Sequence, residues 1–245
     1  MPQTGLAVVM PVFNEAEGIA EFIHELDAHL ASFHSVYFVV DDHSTDSTPE
    51  ILKELVLRFG SKLQVIRNER NRGHGPSTVT ALKLGVSAGR EFVLSVDGDG
   101  QITGSDARRL VEAISSTNCE VAEGVRLMRR EPMYRKVVSM LTKLLVWIRS
   151  GDLPRDANTP FRIYRNSVLS HILENIDISG STPNLKISEI CRRNQLHIKQ
   201  LEVVWRPRRA SSSTGTMWGP RRTVLPSRKF VAFCLKAGFE WVKNR

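Results

Sequence analysis

The sequence predicts an α/β fold in which a mostly parallel β-sheet is covered by helices. Strand-length apolar runs alternate with helical patterns through the first half of the chain, the runs are almost continuously apolar, and polar clusters follow three of them. Continuous apolar runs are typical of strands buried on both faces, as in parallel sheets. Ligands of such sheets bind beyond the carboxyl ends of the strands, so we expect the polar clusters to share one edge.

The strands and helices of the first half follow in order from local signals. Four apolar runs predict strands at residues 6–12, 36–40, 63–66 and 92–96. Asn14, with Glu17 three residues later, predicts the start of the first helix. Thr48 as N-cap and Pro49 at the first helical position predict the start of the second. The turn residues 71–77 are expected to lead into a third helix.

Residues 126–245 are less regular and contain two basic amphipathic segments. Residues 133–148 and 230–242 repeat apolar side chains at helical spacing, with lysines and arginines beside them. Such helices either lie in a membrane interface or pack on the sheet with a solvated basic face, and the sequence leaves both interpretations open. A mobile basic loop is expected from Arg206 to Ser213.

Length and composition indicate an ordinary globular protein. The chain has 245 residues, of which 41% are hydrophobic and 24% charged, enough for one domain with a sizeable core. No signal peptide is evident, and no apolar run approaches the ~20 residues needed to span a bilayer. The three cysteines are widely spaced and odd in number, which indicates reduced thiols in a cytoplasmic protein.

The charge differs between the two halves of the chain. Residues 1–125 hold 10 Lys and Arg against 18 Asp and Glu, a net charge of −8, whereas residues 126–245 hold 24 against 8, a net charge of +16. An acidic half suits metal binding. A basic half suits phosphates, an anionic membrane surface or nucleic acid.

The segment with the most chemical information is Asp97-Gly98-Asp99-Gly100-Gln101, which directly follows the fourth predicted strand. Magnesium sites often use one or two carboxylates and leave room for substrate phosphates. Glycine allows the backbone to turn tightly and to approach a ligand closely. The alternative is an ordinary acidic turn. Because Glu15 and Asp42 also follow strands, their expected convergence with this segment favours a site for a metal and a diphosphate.

Four motifs of the first half occur together. They are Pro11-Val12-Phe13-Asn14-Glu15, the run from Val40 to Thr48, Asn71-Arg72-Gly73-His74-Gly75 and the Asp97–Gln101 segment. Their order and spacing resemble family 2 glycosyltransferases with the Rossmann-like GT-A fold, over residues ~5–125. The Asp-x-Asp-x-Gln form, together with looser matches at 124–126, 156–165 and 207–208, resembles the branch that makes dolichyl- or polyprenyl-phosphate mannose or glucose.

The resemblance implies a role for individual residues. The nucleotide pocket would be lined by Pro11, Phe13 and Glu15, with Gly98 allowing close approach, and the base would be read by Asp42 with Asp41 beside it. A Mg²⁺ or Mn²⁺ ion would be held by Asp97, Asp99 and Gln101. Donor or acceptor phosphate would be faced by Arg126, Arg162 and Arg208. The alternatives are that Asp41 and Asp46 are turn or capping residues, that Arg126 is a surface charge and that Arg162 forms a structural ion pair.

The acceptor decides whether a general base is needed. A hydroxyl needs one, whereas a phosphate monoester is already anionic and can be positioned by arginines. If a base is used, Asp156 and Glu189 are the candidates. The branch usually has Ser-Gly where this chain has Thr159-Pro160, and Gly-x-Ser-Lys where it has Ser211 to Thr214, which leaves acceptor identity open.

The resemblance thus implies a metal-dependent, inverting transfer from a nucleotide-diphosphate sugar to a polyprenyl phosphate, by a protein peripheral at the cytoplasmic face of a membrane. Within one GT-A domain, residues 1–125 would bind the nucleotide sugar and residues 126–245 the acceptor. The alternative acceptor is a hydroxyl of a glycan or cell-surface polymer. A basic nucleic-acid-binding protein is a remote alternative, since the basic half has no nucleic-acid motif. The base and the sugar are not determined by the sequence.

Overall fold

The computed structural model describes residues 5–127, 133–174, 176, 180–209 and 228–243. This part of the chain contains seven strands, which are β1 (Leu6–Val12), β2 (Ser35–Asp41), β3 (Leu63–Arg67), β4 (Phe92–Ser95), β5 (Val121–Leu127), β6 (Arg162–Arg165) and β7 (Ile198–Val204). Its eight α-helices are α1 (Ile19–Leu30), α2 (Thr48–Phe59), α3 (His74–Ser87), α4 (Gly104–Ser115), α5 (Met133–Ser150), α6 (Asn166–Glu174), α7 (Pro183–Arg193) and α8 (Arg228–Lys243).

The seven strands form one sheet in the order β3-β2-β1-β4-β6-β5-β7. β1 lies between β2 and β4 and is parallel to both, with Val8 opposite Tyr37 on one side and Leu94 on the other. Strand β6 is antiparallel to its neighbours β4 and β5, while β5 and β7 are parallel. The mostly parallel sheet predicted from the sequence is therefore confirmed, with one reversed strand.

Helices cover both faces of the sheet, as the buried strands require. Successive β1 side chains point to opposite faces: Val8 joins the core beneath α1, α2 and α4, and Val9 joins the core beneath α3, α6 and α7. Helix α3 comes unusually close to the sheet at Gly85, where an added Cβ would lie 2.6 Å from a Val93 methyl group.

The four predicted strands agree with β1 to β4 within one residue at each end, but the first helix start was wrong. Helix α1 begins at Ile19, and Asn14 instead lies in a loop with a left-handed φ of 55°. Helix α2 begins at Thr48, so Ser47 rather than Thr48 precedes the helix. In both cases the polar side chains bind a neighbouring loop rather than their own helix end.

The two amphipathic segments form helices α5 and α8. Helix α5 packs on α7 through a small core of Val146, Ala157 and Leu185. Among the described residues, no helix is long and apolar enough to cross a membrane. The aromatic side chains of the 230–242 segment and residues 210–213 of the expected mobile loop lie outside the described residues.

Candidate active site

The predicted polar clusters meet at one edge of the sheet. The carboxyl ends of β1, β2, β4 and β5 lie there because these strands are parallel, and the antiparallel β6 begins there. Loops that are far apart in sequence therefore meet above the sheet. We call this edge the rim.

Asn14 joins the first two loops of the rim. Its backbone N–H donates to Ser44 Oγ at 3.0 Å, and its side-chain oxygen accepts from the Thr45 N–H at 2.8 Å. The next N–H, of Glu15, donates to Thr48 Oγ1 at 2.9 Å. These bonds offset the cost of a left-handed asparagine and fix where Glu15 lies.

The two adjacent carboxylates after β2 differ in how they are used. Asp42 accepts three hydrogen bonds of 2.8 Å, from Asn68 Nδ2 and from the backbone N–H groups of Arg72 and Gly73, and so anchors the loop before α3. Asp41 accepts from the Ser44 N–H with Oδ1, whereas its buried Oδ2 has no hydrogen-bond partner and lies 3.3 Å from Arg67 Nε. Of the two carboxylates, Asp41 therefore keeps one oxygen without a hydrogen bond, and that oxygen is buried beside Arg67.

Asp46 performs the capping role that the sequence left open. Its Oδ1 accepts from the Thr48 N–H at 3.0 Å, at the start of α2. Its Oδ2 accepts from the Ala16 N–H at 3.3 Å, which adds a further bond between the first two loops.

The loop after β4 holds Asp97 and Asp99 against the end of β1. An added Cβ on Gly98 would lie 2.5 Å from a Val12 methyl carbon and 3.1 Å from the Pro11 carbonyl oxygen, so only glycine allows this contact. Gly100 has a left-handed φ of 67°. The glycines of the motif thus set the carboxylates beside β1. Pro11 in this strand is buried, and Phe13, the first residue after the strand, is partly exposed.

The electrostatics of this loop fit a divalent cation. Burial, and then the neighbouring Asp97 carboxylate, raise the pKa of Asp99 to about 7. No group of three or more His, Cys, Asp or Glu able to hold a metal occurs in the described part of the chain. The loop offers two carboxylates and the Gln101 amide, a set that suits a cation that keeps part of its coordination for a diphosphate.

Residues 206–209 lie across this loop, and we call them the strap. The Arg206 N–H donates to the Gln101 carbonyl at 2.8 Å and the Arg209 N–H donates to the Asp99 carbonyl at 3.2 Å. Between them, Arg208 forms a two-pronged ion pair with Glu15, including a 3.0 Å bond from Nε to Oε2. Arg208 therefore reaches the predicted nucleotide pocket by pairing with Glu15.

The guanidinium group of Arg126, near the end of β5, is contacted along its edge by Asp156 and on its face by Trp205. Its Nε and Nη2 donate to the two carboxylate oxygens of Asp156 at 2.6 and 2.9 Å, and its guanidinium lies 4.9 Å from the centre of the Trp205 ring. Burial alone would raise the pKa of Asp156, but the bonds from Arg126 and its charge bring the pKa below its usual value. A carboxylate held this way is a poor general base.

The second candidate base, Glu189, is also neutralised. Its side chain is fully buried on α7, and Lys186, Arg149 and Arg193 approach its oxygens to 3.1, 3.5 and 3.6 Å. A carboxylate sealed among three cations does not reach an acceptor hydroxyl. This geometry counts against Glu189, which was a candidate only if a base is used.

Arg162, which was expected to face a phosphate, has a fully buried side chain. It donates to Glu123 Oε1 at 2.9 Å, to the Asn184 carbonyl at 2.9 Å and to the Ala157 carbonyl at 3.3 Å. Arg192 donates to the other oxygen of Glu123 at 2.8 Å. The structural ion pair that the sequence left as an alternative describes this residue.

A basic pocket of about 310 Å³ lies beside Arg126, between the rim and α5. Its lining brings three cationic side chains together with the Arg126–Asp156 pair, namely Lys136, Lys143 and Arg155. The sequence predicted the basic helix, but it did not identify Trp205 and Arg155 as site residues because no short motif includes them. A wider cavity of about 740 Å³ lies at the opposite end of the sheet, beside Gly5 and His34 and away from the rim.

Comparison with known proteins agrees with this geometry. Residues 7–175 match glycosyl transferase family 2. A similar curated protein is the UDP-N-acetylglucosamine--dolichyl-phosphate N-acetylglucosaminyltransferase of Methanococcus voltae, 23% identical over 80% of this chain and 83% of the relative. The undecaprenyl-phosphate 4-deoxy-4-formamido-L-arabinose transferase of Edwardsiella ictaluri is 29% identical over 80% of this chain and 60% of its own length.

Solved structures share the fold at lower identity. A mannosyltransferase from Pyrobaculum calidifontis in complex with GDP-Man and Mn²⁺ has a TM-score of 0.59 at 15% identity. The match covers 98% of this chain and 62% of the mannosyltransferase chain. Glucosyl-3-phosphoglycerate synthase from Mycobacterium tuberculosis, with Mn²⁺ and UDP-glucose, has a TM-score of 0.58 at 16% identity over 86% and 73% of the two chains. These likenesses establish the GT-A fold.

Proposed function

The chain belongs to glycosyl transferase family 2 and is a glycosyltransferase, and from this premise we propose that it moves a sugar from a nucleotide-diphosphate sugar to a polyprenyl phosphate. The observation that carries the proposal is that both candidate general bases are paired with basic side chains. Asp156 is paired with Arg126, and Glu189 is buried among three cations. An acceptor that is already ionised needs no base, whereas a hydroxyl does.

The donor side is assigned to residues 1–125. We propose that Pro11, Phe13 and Glu15 line the nucleotide pocket and that the base binds beside Asp42 and Asp41, at the carboxyl end of β2. Asp97, Asp99 and Gln101 would hold Mg²⁺ or Mn²⁺. When bound, such a cation stabilises the charge that develops on the leaving diphosphate. The Mn²⁺ named for two fold neighbours supports a divalent metal.

The acceptor side is assigned to residues 126–245. The basic pocket would hold the acceptor phosphate beside Arg126, with Lys136, Lys143 and Arg155 supplying positive charge. An acceptor oxygen forms the bond to the anomeric carbon of the sugar as the bond from that carbon to the diphosphate breaks. The electron pair leaves with the diphosphate. Attack from the opposite side inverts the configuration.

Helix α5 supports a peripheral membrane contact next to this pocket. Its exposed apolar side chains recur at helical spacing, at Met133, Val137, Met140, Leu141, Leu144 and Ile148. Lys136 and Lys143 lie on the same helix, as in helices that bind an anionic membrane surface. Three free cysteines support the cytoplasmic, reducing side of that membrane.

The test has a donor step and an acceptor step. UDP, GDP and CDP are screened with and without Mn²⁺ by thermal shift, and we expect one nucleotide to stabilise the protein only with metal, in wild type but not in Asp99→Ala. The matching labelled nucleotide sugars are then offered with farnesyl phosphate or with farnesol, which has the same chain and a hydroxyl. Transfer to farnesyl phosphate alone is expected. Transfer to farnesol, or to a soluble glycan but not to the phosphate, would overturn the proposal.

A further inference from the structure

Gln101 is tied to the strap by two hydrogen bonds. Its backbone carbonyl accepts from the Arg206 N–H at 2.8 Å, and its side-chain Nε2 donates to the Arg206 carbonyl at 3.0 Å. A carbonyl only accepts, so the amide must turn its NH₂ toward Arg206. Its Oε1 is then the atom left for a cation.

This double use explains why an amide suits the position. A carboxylate would offer oxygen to a cation, but it could not donate to Arg206 and would repel the carbonyl there. The strap is pinned to the same loop a second time, where the Arg209 N–H donates to the Asp99 carbonyl at 3.2 Å. The position of the strap is therefore set by the loop that carries the predicted metal ligands.

The residue before the strap reaches the acceptor side. The Trp205 ring lies over the guanidinium of Arg126, 4.9 Å from it, while Asp156 binds the edge of the same guanidinium. Arg126 and Asp156 both line the basic pocket. A continuous series of contacts thus runs from Gln101 through Arg206 and Trp205 to Arg126.

We propose that Gln101 and Trp205 are positioning residues that couple metal and nucleotide binding to acceptor-phosphate binding. Gln101 would hold a cation through Oε1 and, with its amide thereby fixed, would hold Arg206, so that Trp205 would keep Arg126 in place for the acceptor phosphate. The coupling rests on the proposed function and adds a thermodynamic property to it. Because coupling between two binding sites is reciprocal, the acceptor must tighten metal and nucleotide binding by the same factor.

The experiment measures that factor directly. The Kd of farnesyl phosphate in neutral detergent is determined without ligand, with Mn²⁺ and UDP, and with Mn²⁺ and GDP. In wild type we expect one of the two nucleotides to lower this Kd by about fivefold or more, the lower end of typical coupling. In the reverse titration, farnesyl phosphate should lower the overall dissociation constant of Mn²⁺ together with that nucleotide by the same factor, with bound Mn²⁺ followed by its electron paramagnetic resonance signal.

We call the series of contacts from Gln101 through Arg206 and Trp205 to Arg126 the relay, and variants at its two ends separate its effect from that of the metal site. Gln101→Glu keeps an oxygen for the metal but loses the donor to Arg206, so Mn²⁺ should still bind while the coupling factor falls to about one. Trp205→Ala should lose the coupling, and Trp205→Phe, which keeps an aromatic face for Arg126, should restore much of it. Gln64→Glu is the matched control, since Gln64 is exposed on β3 beside the cavity at the far end of the sheet.

The outcomes distinguish the relay from the proposed function. Binding of both ligands with no coupling in wild type, or full coupling in Gln101→Glu and Trp205→Ala, overturns the relay and leaves the function standing. Equal loss of coupling in Gln64→Glu also overturns it, because the effect would then not depend on the contact with Arg206. If no nucleotide binds with metal in wild type, the proposed function itself fails.

Discussion

Replacing Glu123 by glutamine tests the buried charge cluster behind the rim. The Glu123 carboxylate accepts from Arg162 Nε at 2.9 Å, from Arg192 Nη2 at 2.8 Å and from Gln200 Nε2 at 3.2 Å. The side chain of Arg162 is 0% exposed and that of Glu123 is 1% exposed. Glutamine keeps the shape of the side chain but removes the charge that balances a fully buried guanidinium.

The expected cost follows from which charge is left alone. Arg192 retains a second acidic neighbour, because its Nε lies 3.4 Å from Asp152 Oδ2. Arg162 has carbonyl oxygens as its other acceptors, so it loses its closest compensating charge. Breaking a buried ion pair by removing one partner costs about 3–5 kcal/mol. That is a large share of the ~5–15 kcal/mol that stabilises a typical native protein.

The assay is urea unfolding near neutral pH, with the midpoint and the slope fitted for wild type and Glu123→Gln. We expect a lower midpoint at an unchanged slope. Glu202→Gln is the matched control, because the Glu202–Arg155 ion pair is half-exposed on both sides and should contribute less than about 1 kcal/mol. An equal loss of stability in the two variants would refute the reasoning from burial.

The pKa of Glu123 also predicts how the stability difference between wild type and Glu123→Gln changes with pH. Burial raises the pKa of Glu123, but Arg162 and Arg192 outweigh burial and hold it below its ordinary value of 4.5. A lowered folded-state pKa means that the stabilisation is complete above the unfolded-state value and is lost as pH falls through the folded-state value. The stability difference between wild type and Glu123→Gln should therefore stay constant above about pH 5 and shrink in acid. A difference that grew in acid would contradict the assignment.

Two further predictions concern the loop after β4 and helix α5. Gly98→Ala should weaken Mn²⁺ binding on the order of tenfold, because its Cβ would lie 2.5 Å from a Val12 methyl carbon and displace the predicted ligands, while Gly238→Ala, with open space at that position, should have no effect. Electron paramagnetic resonance of Mn²⁺ measures both, and equal affinities in all three proteins would contradict the steric argument. Ile148→Glu should reduce cosedimentation with vesicles containing anionic lipid severalfold, whereas Leu57→Glu, at an even more exposed leucine on α2, should not. Equal loss in both would indicate nonspecific adsorption.

The parts of the structure that the sequence predicted are those governed by local rules. Strands β1 to β4 and the shared rim follow from apolar runs and from the geometry of parallel strands. The choice between Asp41 and Asp42 does not, because adjacent residues at a strand end point in different directions and their partners lie in other loops. Likewise, the partner that makes Arg162 structural, Glu123, is 39 residues away in the sequence. No periodicity links two such positions.

Several carboxylates near the rim are held by basic side chains, whereas the pair after β4 is not, and this difference bears on the chemistry. Asp156 and Glu15 are each bound by an arginine, and Glu189 is surrounded by three basic side chains. Asp97 and Asp99 have no lysine or arginine ion pair among the described residues, and burial, followed by the charge of Asp97, raises the pKa of Asp99 to about 7. Unlike those three carboxylates, this pair carries a negative charge that suits a cation from solution. The basic pocket on the other side has an excess of positive charge, which suits the phosphate of the proposed acceptor.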